Sequence, residues 1–288
     1  TNSWYTNADL SKAEIVRKVV ENAGIEVEWQ LLPPQNYKDA VSPRLASGAD
    51  LPDIVYLPDL DQQMKYIKGG LFIPINELYE QYGVNMKKIY GESPDIKAML
   101  TTPDGNFYYV PQRPVPNNYQ PLFMVNVRWL DALGLKEPTT LDEFTDMLRK
   151  FQTGDPNKNG QQDEIPFSAE PKFLTMAFGP AFGMDLYNRF YADDDGKVRF
   201  GYYEPAYKDY LAYLNMLYKE KLLPVDFAST TADQVTSRFA QNVTGATFNF
   251  SWHQSMTYSP LFPDYDRNEP IVKGIAPLKG PNGHQFYI

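Results

Sequence analysis

The chain has 288 residues, 43% of them hydrophobic and 22% charged, which describes a globular protein large enough for two lobes rather than one core. No run approaches the ~18 uninterrupted apolar residues of a membrane helix, and the net charge of −9 argues against nucleic acid, whose phosphates call for a Lys/Arg surface. The absence of cysteine excludes disulfides, thiolate zinc sites and cysteine nucleophiles, and two histidines, His253 and His284, are too few for a His-rich catalytic zinc site.

In chain order, Ser11-Lys12-Ala13-Glu14 reads as a capping box. Ile15, Val16, Val19 and Val20 then recur at helical spacing until Gly24. Ile25, Val27, Trp29 and Leu31 alternate as a half-buried strand. A helical piece over Lys38–Ala46 precedes a short apolar strand, Asp53–Leu57. This alternation implies an α/β lobe. Pro103-Asp104-Gly105-Asn106 marks a turn, read as hairpin-like. From Pro111 to Pro121 the sequence becomes proline-rich and extended, and it is predicted to cross between lobes.

The second region is predicted to hold an extended element at Leu122–Val127 and a short helix at Val127–Leu133. A second capping box, Thr140–Glu143, starts a helix with Leu141, Phe144, Met147, Leu148 and Phe151 on one face. Helices follow near Lys172–Phe182 and Tyr207–Leu222, a strand at Ala246–Phe250 and an extended piece at Ile271–Leu278.

Asp155–Glu164 carries the clearest chemistry. Side-chain oxygens fall at loop positions 1, 3, 5, 9 and 10, with glycine at 6. Ca²⁺ takes six to eight oxygen ligands, and the glycine permits the turn that brings alternate side chains inward. The spacing assigns side-chain oxygens to Asp155, Asn157 and Asn159, the backbone carbonyl to Gln161, and carboxylates to Asp163 and Glu164. The usual loop has glutamate at position 12, where this chain has Pro166. A solvated Asn/Gly/Asp turn is the competing reading. The i, i+2, i+4 spacing followed by two adjacent acids favours a structural calcium site. Cytosolic calcium is too low to fill an ordinary site of this kind, so the loop points to an exported protein, although no signal peptide is visible. Aromatic residues, 15% of the chain with 21 tyrosines, suit sugar rings only as a compositional hint.

Five segments in order resemble the extracellular solute-binding proteins of ABC importers, in the cluster that binds oligosaccharides. They are Leu45–Ile54, Asp104–Pro111, Leu133–Phe144, the loop Asp155–Pro166, and Gly245–Trp252. The loop is similar to that of the subset including alginate-oligosaccharide-binding proteins. The resemblance implies a two-lobe α/β, periplasmic-binding-protein-like fold with interlobe crossing strands. It also implies closure on a solute and delivery to a membrane permease, with no catalysis. It implies an extracellular or periplasmic protein, anchored as a lipoprotein at full length and monomeric. Lobes are expected at residues 1–116 and 117–272, with 273–288 starting a return crossing. Family members continue well past the position of Ile288, so the fold is expected to be incomplete at the C-terminus.

A sugar site needs flat aromatic platforms, and the candidates are Trp4, Tyr5, Tyr119 and Trp252, the last directly after a strand. His253 beside it reads as structural, and the sequon Asn242-Val243-Thr244 as chance. The alternative function is a secreted carbohydrate-active enzyme with a structural calcium. It would need two carboxylates across a cleft; Asp53, Asp59, Asp61 and Asp185 are available, but no motif pairs them. A calcium-stabilised adhesion module would need a β-sandwich, against the helix-rich pattern.

Overall fold

The computed structural model describes residues 12–32, 37–56, 60–92, 94–110, 120–193 and 195–287. The chain divides into two compact units, residues 1–113 and 114–288. The division falls inside the proline-rich stretch, of which residues 111–119 lie outside the described part.

The first unit is built from α1 (Glu14–Ala23), α2 (Tyr37–Ser47), α3 (Leu60–Lys68), α4 (Asn76–Tyr82), α5 (Val84–Glu92) and α6 (Pro94–Leu100). Gly24, at φ 64°, ends α1 by returning its N–H to the carbonyls of Glu21 and Val20. Ser11 of the predicted capping box is outside the described residues, and Ala13, which precedes the helix, makes no side-chain cap. Two apolar clusters hold the unit's helices. One gathers Tyr37, Val41 and Leu45 of α2; the other gathers Tyr79, Tyr90, Leu100 and Phe107.

Both strands predicted in this unit are corrected by the structure. Ile25–Leu31 belongs to no strand among the described residues, with Ile25, Val27 and Trp29 exposed, and Ile54 lies in a bend at 89% exposure. Alternation supplies a face for a strand, but ladder hydrogen bonds require a neighbour, and no named strand occurs among the described residues of this unit. The turn at 103–106 forms, with Gly105 at φ 82° and the Asp104 carboxylate accepting from Thr102 and Tyr108. It follows α6 rather than a strand, so it is not a hairpin.

The second unit contains β1 (Pro121–Asn126), α7 (Val127–Ala132), α8 (Leu141–Thr153), β2 (Ile165–Phe167), α9 (Pro171–Ala177), β3 (Phe190–Ala192), β4 (Val198–Phe200), α10 (Ala206–Lys219), α11 (Ala232–Ala240), β5 (Thr244–Phe250) and β6 (Val272–Gly274). Four strands form a mixed sheet in the order β2-β5-β1-β6. β1 is antiparallel to β5 and β6, and β2 is parallel to β5. β3 and β4 form a separate hairpin.

β1 is nearly continuous in apolar residues because both of its faces are buried. Phe123 and Val125 point into a large core with Phe144, Phe167, Phe178 and Phe248, while Met124 points to a second core with Val235, Phe239 and Tyr258. Phe123 and Phe248 are directly opposite in register, their rings 4.9 Å apart. Ile275 and Leu278, after β6, still pack in the large core.

Helix α8 begins as the sequence predicts. Thr140 Oγ1 accepts from the Glu143 N–H, and the Glu143 carboxylate accepts from the backbone N–H of Thr140 and Thr139. Arg149 joins α8 to the end of α10 by a two-pronged contact with Glu220 at 2.7 and 2.9 Å. Gly245 lies where a Cβ would sit 2.5 Å from the Trp129 indole and closer still to the Phe151 ring, so only glycine lets β5 approach α7 and α8.

Candidate functional site

The loop Asp155–Glu164 joins α8 to β2. Asp155, Lys158 and Gly160 take left-handed backbone at φ 47°, 58° and 74°, which winds the loop tightly. Its side-chain oxygens accept backbone donors from within the loop. Asp155 Oδ1 and Oδ2 accept from Asn159 N and Gly160 N at 3.0 and 3.1 Å, and Asn159 Oδ1 accepts from Gln161 N at 2.7 Å. Asn159 Nδ2 donates to both oxygens of Asp163 at 3.1 Å, and Asn157 Nδ2 donates to Asp163 Oδ1 at 3.3 Å.

Two observations bear on whether these residues fit a hard cation. The Asp163 carboxylate accepts from the side-chain amides of Asn157 and Asn159, bonds that an ordinary polar turn also makes. Glu164 Oε1 is buried with no hydrogen-bond partner, an exception that calls for an explanation in a native fold. Burial, then the charges of Asp163 and Asp155, push the Glu164 carboxyl above its usual range. The donor set of carboxylates, amides and a carbonyl is the oxygen-only chemistry of calcium. Among the described residues, however, no three Asp, Glu or His side chains form a ready-made cation cage.

Asn242 ties this loop to the sheet. Its carbonyl accepts from Asn157 Nδ2 at 3.2 Å, and its Oδ1 accepts from Trp129 Nε1 at 3.1 Å and Asn126 Nδ2 at 3.2 Å. Thr244 Oγ1 donates to the carbonyl of Ile165 at 2.8 Å. Both polar side chains of the sequon therefore have structural partners.

At the other end of β5, Trp252 follows Phe250 and is 37% exposed. It is the one predicted ligand residue in the described part of the chain; Trp4, Tyr5 and Tyr119 lie outside it. His253 stacks on the indole at 3.7 Å, and its Nδ1 is 3.0 Å from Thr257 Oγ1. Burial, then nearby Lys172, hold the His253 imidazole down at about 4, so it is neutral at physiological pH. Phe173 of α9 meets Phe250 edge-on at 5.5 Å, and Lys172 lies over the Phe173 ring while pairing with Glu170 at 3.1 Å. An exposed indole with ionic side chains on the neighbouring helix start offers an apolar face and polar arms. A separate depression near Leu122, Pro180, Ala181, Ile275 and Tyr287 is lined mainly by apolar groups.

Glu170 and Lys172 escaped sequence reading because nothing in their spacing links α9 to the end of β5, whereas His253 was read as structural and has the partners of a structural residue.

The family described as bacterial extracellular solute-binding protein matches residues 8–286. The fructooligosaccharide ABC transporter substrate-binding protein FusA of Streptococcus pneumoniae serotype 4 is 31% identical over 235 residues, 75% of this chain and 42% of FusA. The structure of FusA with kestose aligns at TM-score 0.72 and 26% identity, covering 96% of this chain and 57% of FusA. An EF-hand mutant of FusA with fructo-nystose aligns at 0.73 and 26% identity, covering 95% and 56%. The alginate-binding protein AlgQ2 without calcium ion aligns at 0.69 and 26% identity, covering 89% and 53%. This chain spans about half the length of the curated relatives it matches. The expected α/β, two-lobe binding-protein fold is the one these likenesses show. The match over residues 8–286 and the FusA identity together make the chain a member of the bacterial extracellular solute-binding protein family.

Proposed function

We propose that this chain serves in the capture of an oligosaccharide outside the cell and its delivery to the permease of an ABC importer, with Trp252 as a sugar-stacking platform. The observation that carries the reading is the exposed indole after β5, with Phe173 packed edge-on against Phe250 and the Glu170–Lys172 ion pair at the start of the same helix. Sugar rings present C–H faces to such an indole and hydroxyls to polar arms. FusA, a relative whose name specifies fructooligosaccharide, supports the ligand class. Trp4, Tyr5 and Tyr119 belong to the same reading as further platforms, as do the lobe boundaries at 116 and 272.

The reading takes Asp155, Asn157, Asn159, Gln161, Asp163 and Glu164 as a structural calcium site. The fit rests on the partnerless buried oxygen of Glu164 and on the loop's oxygen-only donor set. Bound calcium would supply positive charge beside Glu164, whose carboxyl the charges of Asp163 and Asp155 raise. The loop's own contribution is to hold Asp155 by two backbone N–H groups and to anchor to Asn242. A full-length protein that is extracellular, lipid-anchored and monomeric completes the proposal; palmitate labelling of that protein tests the anchor.

Capture without chemistry is preferred over the glycosidase reading. Asp185 spends its oxygens on the N–H groups of Tyr187 and Asn188 and on the Asn188 amide. Isothermal titration of the full chain against kestose, alginate oligosaccharides and polygalacturonate fragments tests the function. Binding that Trp252→Ala weakens at least ~10-fold is expected. A panel in which nothing binds, or binding indifferent to Trp252→Ala, refutes it.

A further inference from the structure

Four rings stand in one column that ends at Trp252. Phe239 of α11 stacks on Tyr258 at 4.6 Å, Tyr258 on His253 at 5.4 Å, and His253 on Trp252 at 3.7 Å. Successive interplanar angles are 29°, 22° and 24°, so the planes run nearly parallel from the core outward. The inner two rings are fully buried and the last is half in solvent.

The column depends on an unusual backbone. Residues Gln254–Tyr258 form a π-helical turn, with the N–H of Ser259 returning to the carbonyl of Gln254. In an α-helix, side chains five apart diverge by roughly 140°. The wider i→i+5 turn brings His253 and Tyr258 toward one line. That turn is bolted to β6: Gln254 Oε1 accepts from Gly274 N at 2.7 Å, and Ser259 Oγ both accepts from Val272 N and donates to its carbonyl. Asn249 Nδ2 of β5 donates to the Tyr258 hydroxyl at 2.9 Å, and Thr257 fixes the His253 ring. Every ring below the indole is therefore held.

We propose that His253 is a positioning residue for Trp252: the ring column fixes the indole plane at the end of β5 and leaves its outer face ready for a solute ring. The inference rests on the reading of Trp252 as a stacking platform and adds what makes it effective. An indole held before binding loses little rotamer freedom on binding, which is the advantage of preorganisation. The neutral form of His253 suits the role, since a stacked imidazole remains apolar against the indole.

The test is fluorine NMR of the full chain labelled with 5-fluorotryptophan, the Trp252 line assigned by Trp252→Phe, with titration of the panel sugar that binds the wild type. In His253→Ala the ligand-free Trp252 line is expected to narrow and move toward that of a solvent-exposed indole, with affinity falling roughly 3- to 10-fold. His253→Phe restores the flat neighbour and both readouts. Thr257→Val, which frees the His253 ring, shifts the line in the same direction and serves if His253→Ala does not fold. A Trp252 line unchanged by both His253→Ala and Thr257→Val overturns the proposal, whether or not a sugar binds. A changed line with unchanged affinity overturns the platform role. Wild-type protein that binds no sugar defeats the functional reading separately, and the line then decides alone whether His253 holds Trp252.

Discussion

Removing the partnerless charge at Glu164 separates a calcium loop from an ordinary turn. Without a cation, Glu164 keeps a buried oxygen with no donor, and burial and the charges of Asp163 and Asp155 raise its carboxyl. A raised folded-state value means that the stability linked to this group is complete below the unfolded carboxylate range and is lost as pH rises through the folded value. Near neutral pH the cation-free loop therefore carries a penalty that Glu164→Gln relieves. Calcium relieves the same penalty by binding only the folded loop, adding RT ln(1 + [L]/Kd). At roughly tenfold above Kd that is about 1.4 kcal/mol, or about 3–6 °C in the melting temperature of a unit this size. Differential scanning fluorimetry with millimolar calcium or excess chelator measures it. The expected pattern is a calcium-dependent rise in the wild type, shrinking as pH falls toward the carboxylate range, where protons compete with the cation. Glu164→Gln should melt no lower than the wild type in chelator and lose most of the calcium response. Equal melting temperatures with and without chelator at neutral pH would refute the site, as would a Glu164→Gln variant with a full calcium response.

Gly245→Ala should destabilise by about 1–3 kcal/mol, read by urea unfolding, because the new methyl meets the rings of Trp129 and Phe151. Arg238→Ala should cost about 1–3 kcal/mol, since it strips the two-pronged partner from Asp226 and a donor from buried Ser168. The depressed His253 value predicts stability that is full above about 6.5 and falls as pH drops toward about 4, because the unfolded chain takes the proton first. Lys172 and Glu170 lie nearby, so His253→Phe is the control: it should flatten that part of the stability–pH profile.

The second unit was more legible than the first. Its signals are local: Thr140 and Glu143 close a capping box with each other, and Leu141, Phe144, Leu148 and Phe151 share a face of one helix. β1 is apolar enough to declare itself buried on both faces. The loop at Asp155–Glu164 could be read for the same reason, since its oxygens recur within ten residues. Ile25–Leu31 has a strand's alternation but no strand to pair with among the described residues, and pairing is non-local information. β2 was missed because three residues carry no periodicity, and its parallel partner β5 lies nearly eighty residues later. Trp252 was visible as an aromatic after a strand, whereas the column beneath it needs Phe239 from another helix and a π-turn that no propensity announces.

One strand connects the two functional features. Asn242, which receives Asn157 of the loop, stands two residues before β5, and Trp252 stands two residues after it. β5 spans roughly 20 Å between them and is held along its length by β1 and β2. The loop Asp155–Glu164 therefore secures one end of β5, and Trp252 stands at the other. The platform, however, takes its orientation from Tyr258, Asn249 and the β6 contacts of the π-turn, none of which touches the loop. Stability and recognition should then separate. Chelation should lower the melting temperature while changing sugar affinity less than ~2-fold at a temperature where the protein stays folded, because the contacts that orient Trp252 are separate from those of the loop. Titration of the same sugar in calcium and in chelator measures this. A tenfold affinity loss on chelation, with folding intact, would mean that the loop controls the platform and not only the stability of the sheet.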